Sequence, residues 1–398
     1  MTFQAQDYIA RLSSFYPREG RWPLHEPLFD GNEVNYVKEC VVTGWVSSVG
    51  AYVNRFEKDI ATITGAKRAV AVVNGTAAIE VALSVAGVIA GDEVIVPGIT
   101  FVATANAIQH LGAIAHFGEI EEESLGLDPL KLRDFLEENT QMAPRGRLNT
   151  KTGRVISAIV PVHIFGFACQ IEEICKIGEE FGLEVVEDAA EGLGSSFAGK
   201  HVGRFGRFGA LSFNGNKIIT CGGGGAIITD SDEFADRIKH LTTTARVGSS
   251  IDYYHDEIAW NYRLPNINAA LGVAQLEKLP ETLRLKAGLA KEYRDFFSED
   301  RTGIEVMTAP SNTVSNHWLN AIVLPPEVAH LRDEILLGLN DIGIEARPLW
   351  RPINQLPMYE DSPSFAGPVC IEMAQRVINL PSGVGAAREI LKDRQGWS

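Results

Sequence analysis

Residues 210–230 read ALSFNGNKIITCGGGGAIITD, and the rest of the chain is organised around them. The apolar run Ala210–Phe213 predicts a strand, which leads into a polar turn carrying Lys217. Four glycines, Gly222–Gly225, precede a second strand, Ala226–Thr229. A lysine held between two strands by a glycine-rich loop suits a chemically active amine. The same pattern fits a solvated lysine in a flexible turn, so its surroundings must decide.

Working outward, short apolar strands alternate with helices. Ala69–Val73, Glu93–Val96, Ile114–Phe117, Val155–Val162 and Leu183–Val186 predict strands. Ala77–Val85, Phe101–His110, Leu130–Glu138 and Ile171–Phe181 predict the helices between them, and the polar stretch Asn139–Gly153 predicts a loop. This alternation means a mainly parallel sheet covered on both faces. Asn266–Leu279 and the amphipathic Leu283–Phe297 predict two more helices, the second a connector to a small α/β unit at the C-terminal end. The first thirty residues, with Phe15, Tyr16, Trp22 and three prolines, read as an arm that wraps over something else.

Composition bounds the function. At 398 residues the chain predicts two or more domains. A formal net charge of −15 argues against nonspecific nucleic-acid binding, while leaving room for an anionic small substrate in a locally positive pocket. Five scattered cysteines without a CxxC pair suggest neither a zinc site nor an iron–sulfur cluster, so no metal is expected. An odd number without regular spacing fits a reducing compartment. With no signal-peptide pattern at the N-terminus and no long apolar window, the reading predicts a cytoplasmic protein without membrane contact.

Ligands bind an open parallel sheet at the edge where strands end and helices begin. Strand Ala69–Val73 ends in Asn74-Gly75-Thr76-Ala77. There Gly75 permits close approach, Thr76 offers a hydroxyl, and the helix start offers free N–H groups to a phosphate. An ordinary N-capped helix has the same local pattern. Strand Leu183–Val186 runs into Glu187-Asp188, and a carboxylate at an apolar strand end is either paired or functional. Lys217 follows a later strand on the same edge. A lysine, an acid and a phosphate cup are what pyridoxal 5′-phosphate (PLP) needs: a Schiff-base amine, a partner for the ring nitrogen and an anchor. Ser212 is placed to add a phosphate hydrogen bond and Phe101 to stack on the ring, although a core phenylalanine is its commoner fate.

Six blocks then carry a resemblance: NGTAAIEVAL (74–83), VPGITFVATANAI (96–108), PVHIFG (161–166), VVEDAAEGLGSSFAGKHVG (185–203), the lysine stretch, and WNYRLPNINAALGVAQL (260–276). Together they resemble the DegT/DnrJ-type nucleotide-sugar aminotransferases, closely over about Asn35–Leu279 and more loosely at RPLWRP and INLPSG. The resemblance implies PLP fold type I, similar to aspartate aminotransferase. Residues 1–280 would form the arm and a large domain on a mainly parallel seven-stranded sheet, and residues 281–398 the connector and a small C-terminal α/β domain.

It also implies roles: Lys217 as Schiff-base lysine, Asp188 at the pyridinium nitrogen, Thr76, Ala77 and Ser212 on the phosphate, and Phe101 on the ring. Asn261 matches an asparagine that reaches the phosphate across a dimer interface, which implies a homodimer with shared sites. Glu191 stands where glutamine or histidine is commoner, beside the cofactor's 3-oxygen. This DAAE form, with YYHDE and NYRLPNINAAL, is similar to the LegC-like branch. That branch aminates a 4-keto-6-deoxy hexosamine nucleotide, with L-glutamate as the expected donor. Candidate substrate contacts are Trp45, Ser47, His163, His317, Trp318, Arg347 and Trp350. Packing and surface charge account equally for each of these taken singly. A 3-keto-sugar aminotransferase, a nucleotide-sugar dehydratase and a non-catalytic sugar-nucleotide sensor stay open as alternatives.

Overall fold

The structure, a computed structural model, describes residues 4–248, 253–298 and 301–395. Three helices open the chain, α1 (Ala5–Ser13), α2 (Glu33–Thr43) and α3 (Ala51–Thr64). The alternating unit follows: β1 (Arg68–Val72), α4 (Gly75–Val85), β2 (Glu93–Pro97), α5 (Val102–His110), β3 (Ile114–Gly118) and α6 (Pro129–Asn139). It continues through β4 (Thr140–Ala143), β5 (Gly146–Asn149), β6 (Val155–Ile159), α7 (Ile171–Phe181), β7 (Glu184–Asp188), β8 (Ser196–Phe197) and β9 (Lys200–His201). The lysine stretch supplies β10 (Phe208–Ser212) and β11 (Gly225–Thr229), and α8 (Asp232–Thr242), α9 (Asn266–Glu277) and α10 (Leu279–Phe297) complete this part.

The principal sheet has the order β1-β11-β10-β7-β6-β2-β3. Neighbours from β10 to β3 run parallel, while β11 pairs antiparallel with both β10 and β1. Seven strands form this path, as expected of a mainly parallel sheet. Strands β2, β10 and β11 are buried along their whole length, which explains why they read as unbroken apolar runs rather than as alternation. Helix ends follow local chemistry: Asn74, Asp128 and Ser231 each cap a helix by accepting an amide at its start.

One expectation fails. Residues 139–153 are not a loop throughout: β4 and β5 form a hairpin that joins the sheet through Arg147 and Leu148 opposite Ile156 and Val155. Its strands are short, polar and half-exposed, so neither an apolar run nor a buried face marks them.

A second sheet, antiparallel throughout, orders Glu305–Val306, Asn320–Val323, Val377–Leu380 and Arg347–Pro348. Around it lies a separate core in which Tyr8, Leu12, Phe15 and Trp22 of the arm pack with Leu289 and Tyr293 of α10. The arm thus wraps over the second unit rather than over the large sheet. Trp22 anchors it: its amide donates to Gly343 O at 2.8 Å, its carbonyl accepts from Glu345 N at 2.9 Å, and its indole N–H donates to Arg18 O at 3.1 Å. Among the described residues, no helix is long and apolar enough to cross a membrane.

Trp22 is 1% exposed. Trp22→Ala should therefore cost about 3–5 kcal/mol, the range for emptying a buried tryptophan site. It should lower the urea midpoint of unfolding. An unchanged midpoint would mean that the arm lies outside the cooperative core.

Candidate active site

The sheet register brings β1, β7 and β10 to a common edge, and a cleft of about 580 Å³ opens there toward the second unit. At its base the start of α4 contributes Gly75 and Thr76. Asn74 turns its side chain back to accept Ala77 N–H at 2.8 Å. The Ala77 amide, expected on the phosphate, is the one that this helix cap accepts, and the residue does not line the cleft. Ser212 lies against this turn, and a Cβ added at Gly75 would come within 2.8 Å of its Cβ.

The glycine run acquires two specific roles. Gly225 stands opposite both Val72 and Ser212 in the sheet, and a side chain there would overlap the Asn74 backbone. It thus allows the helix start and β10 to meet. Gly222 has φ +76°, the left-handed turn that closes the loop. Phe213 fixes the same loop by donating to Gly224 O (2.8 Å) and accepting from Cys221 N (2.9 Å), which holds Lys217 at the tip.

Lys217 enters the cleft with its side chain 11% exposed, and its Nζ lies 2.9 Å from Glu191 Oε1 and 4.0 Å from the centre of the Trp318 ring. The other Glu191 oxygen accepts Phe165 N–H at 2.8 Å. Burial raises the Glu191 carboxyl above the usual range against the pull of Lys217, and nearby Asp188 raises it further. Asp188 lies at the end of β7, where Oδ2 accepts the Thr104 hydroxyl at 2.7 Å and Oδ1 the Ala190 amide at 3.0 Å. Phe101 lines the cleft from the start of α5 and is 53% exposed.

The second unit closes the opposite wall with Trp318, Arg347 and Trp350, as expected. Trp318 donates its indole N–H to Asn216 O at 2.6 Å. Other candidates lie elsewhere. His163 is fully buried, its Nε2 3.0 Å from Glu187 and its Nδ1 accepting Cys169 N–H at 3.3 Å, so it is a core residue without access to a substrate. His317 does not line the cleft, and burial near Arg294 and Lys286 lowers its imidazole to about 4. Trp45, Ser47 and Asn261 are exposed and lie outside the cleft of their own chain. Sequence reading missed Thr104 and His25. Thr104 had a signal: it lies one helical turn after Phe101, and residues three apart share a helix face. His25 had none, because it arrives from the arm.

These residues fit PLP. Gly75 and Gly225 keep open a cradle that a Cβ would fill, the lysine amine lies inside the cleft, and an anchored carboxylate ends the neighbouring strand. Gly225→Ala should cost about 1–3 kcal/mol through overpacking against backbone that cannot rotate away. It should also loosen phosphate-dependent retention of PLP, read by dialysis and fluorescence. Full retention with an unchanged melting temperature would show that the contact is not tight.

The profile of the DegT/DnrJ/EryC1/StrS aminotransferase family matches residues 27–393. GDP-perosamine synthase of Vibrio cholerae is 38% identical over 372 residues, covering 93% of this chain and 96% of the relative. Among solved structures, PseC of Helicobacter pylori, an aminotransferase of pseudoaminic acid biosynthesis, superposes with a TM-score of 0.82 at 24% identity, covering 96% of this chain and all of that one. DesV of S. venezuelae gives 0.77 at 27% identity over 92% and 94% of the two chains. Family and geometry agree: the chain belongs to the DegT/DnrJ/EryC1/StrS family and is a PLP-dependent sugar aminotransferase.

Proposed function

We propose that this enzyme transfers an amino group from L-glutamate to the 4-keto carbon of a nucleotide-linked 6-deoxy sugar, in the manner of the LegC-like branch. Its product would enter surface-glycan assembly, nonulosonic acids included. One observation carries the reading: Lys217, Asp188 and the Gly75–Thr76 helix start meet in one cleft whose far wall holds Arg347, Trp318 and Trp350.

Bound PLP supplies the electron sink that both half-reactions need. Lys217 Nζ takes the α-proton of glutamate in one half and delivers a proton to the sugar's keto carbon in the other. Glu191, 2.9 Å from Lys217 Nζ, would orient the amine for that work. Asp188 would hold the ring nitrogen in its protonated form, with Thr104 fixing the carboxylate. Gly75, Thr76 and Ser212 would anchor the phosphate, and Phe101 would cover the ring. Arg347 would pair with the pyrophosphate, and the tryptophans would cover the base or the sugar.

We infer further that two copies complete each other's sites. Val41, Val42, Trp45, Val46 and Val49 form an apolar surface, each at least 42% exposed, of the kind a partner covers. Asn261, Trp45 and Ser47 would then serve the partner's cleft rather than their own.

A panel of UDP-, GDP- and dTDP-linked keto sugars with glutamate tests the reaction. The relative named for GDP-perosamine puts guanosine first. No turnover on any member would refute the reading. Lys217→Ala should lose turnover by about 10²–10⁴-fold or more while still binding pyridoxamine phosphate. Mixing it with an impaired Asn261→Asp variant should recover activity that neither shows alone, and failure to recover would refute shared sites. Glu191 is proposed to stand beside the cofactor's 3-oxygen and share its proton. An anion there stabilises a protonated cofactor, so Glu191→Gln should move the cofactor's spectral titration to lower pH. An unmoved titration would remove Glu191 from that role.

A further inference from the structure

The arm brings into the cleft one side chain that the reaction above leaves unused. His25 lies on a tightly held segment. Leu24 N–H donates to Glu345 Oε2 at 3.2 Å, Leu24 O accepts Ser382 N–H at 2.7 Å, and Leu28 O accepts the Gln275 side chain at 2.9 Å. The backbone on either side of His25 is therefore held, while its imidazole lies 6.4 Å from the Trp318 ring between centres and in the same cleft lining as Lys217. Both ring nitrogens are shut off from solvent, and neither has a hydrogen-bond partner among the described residues. Each unsatisfied buried polar atom costs about 1–3 kcal/mol. Two such atoms beside a reactive lysine point to a group that arrives with the substrate.

The chemistry of that group follows from the ring. Burial, with Lys286 and Lys217 nearby, holds His25 well below its ordinary basicity, so the ring is neutral, with one N–H donor and one acceptor nitrogen. A hydroxyl has the same two capacities. A carboxylate or phosphate has none to offer the acceptor nitrogen, and Arg347 already provides a cation for an anion. Because the ring shares the cleft lining with Lys217 and Trp318, the hydroxyl it meets lies on the side of the reacting carbon. Reaching it requires only that the imidazole turn toward the cleft.

We propose that His25 is a sugar-specificity residue, exchanging hydrogen bonds with a ring hydroxyl next to the carbon that is aminated. This rests on the nucleotide-sugar reading above, and the two half-reactions separate the proposals. His25→Phe keeps the ring against Trp318 and removes both nitrogens, whereas His25→Gln keeps a donor and an acceptor. In His25→Phe the glutamate half-reaction, followed by the visible band of the bound cofactor, should stay within about twofold of the parent. For the GDP-linked 4-keto-6-deoxyhexose, kcat/KM should fall about 10- to 100-fold, and His25→Gln should recover most of it. Calorimetry on cofactor-free protein should show the sugar nucleotide binding more tightly than GDP in the parent, with the difference lost in His25→Phe. An unchanged kcat/KM for the sugar would overturn the proposal. So would an equal fall in both half-reactions, since the ring would then serve Lys217 or the fold. A parent that does not react with glutamate would overturn the aminotransferase reading and this inference with it.

Discussion

The ion pair between Lys217 and Glu191 is the interaction that the surrounding structure serves. Two charges with side chains 11% and 5% exposed are expensive to bury, and their attraction offsets that cost only when the remaining polar atoms are also satisfied. Here they are: Phe165 N–H occupies the second carboxylate oxygen, and the Trp318 ring covers the ammonium. Phe165 adopts φ +57° in its short helical turn, an uncommon conformation for a phenylalanine. The same backbone supplies the amide that Glu191 needs. The glycine contacts behind Asn74 and the closed loop from Phe213 to Gly224 bring the lysine to this meeting point.

Adjacent carboxylates on β7 show how the fold assigns different tasks to like groups. Glu187 points into the protein and accepts from Gly203, Phe205 and Gly206 amides at 2.6–2.7 Å, with His163 at 3.0 Å. Asp188, one residue on, faces the cleft with a hydroxyl and one amide. Alternation along the strand separates the two faces, so the first carboxylate stabilises the strand end from which the second works.

Much of this was legible in the sequence, for identifiable reasons. Buried parallel strands announce themselves as apolar runs, and ligands bind at their carboxyl ends, which sufficed to place Lys217, Asp188 and Gly75 together. The hairpin at 140–149 was illegible because a polar, half-exposed strand has no apolar signature. His163 directly follows the predicted strand Val155–Val162, a position that does not reveal which way the ring points, and the ring turns inward to Glu187. The far wall was harder still. Trp318 and Arg347 lie 101 and 130 positions beyond Lys217, and His25 lies 192 before it. No local pattern encodes a contact made by such distant segments.

That far wall nevertheless has a single mechanical centre, the turn at Ser382. Its amide holds Leu24 of the arm at 2.7 Å, its hydroxyl accepts Asn320 N–H at 2.8 Å, and its carbonyl accepts from Lys286 of α10. Lys286 also donates to Trp318 O at 3.2 Å. Wholly buried, it is lowered to about 7 by desolvation. A lysine in such a place bridges carbonyls from two strand ends that would otherwise compete for donors. Arm, connector helix and second sheet are thereby joined where Trp318 meets Lys217. The wall cannot shift at Trp318 without disturbing the carbonyl that Lys286 binds, so the tryptophan covering the reactive amine is held by the same contacts that unite the second unit.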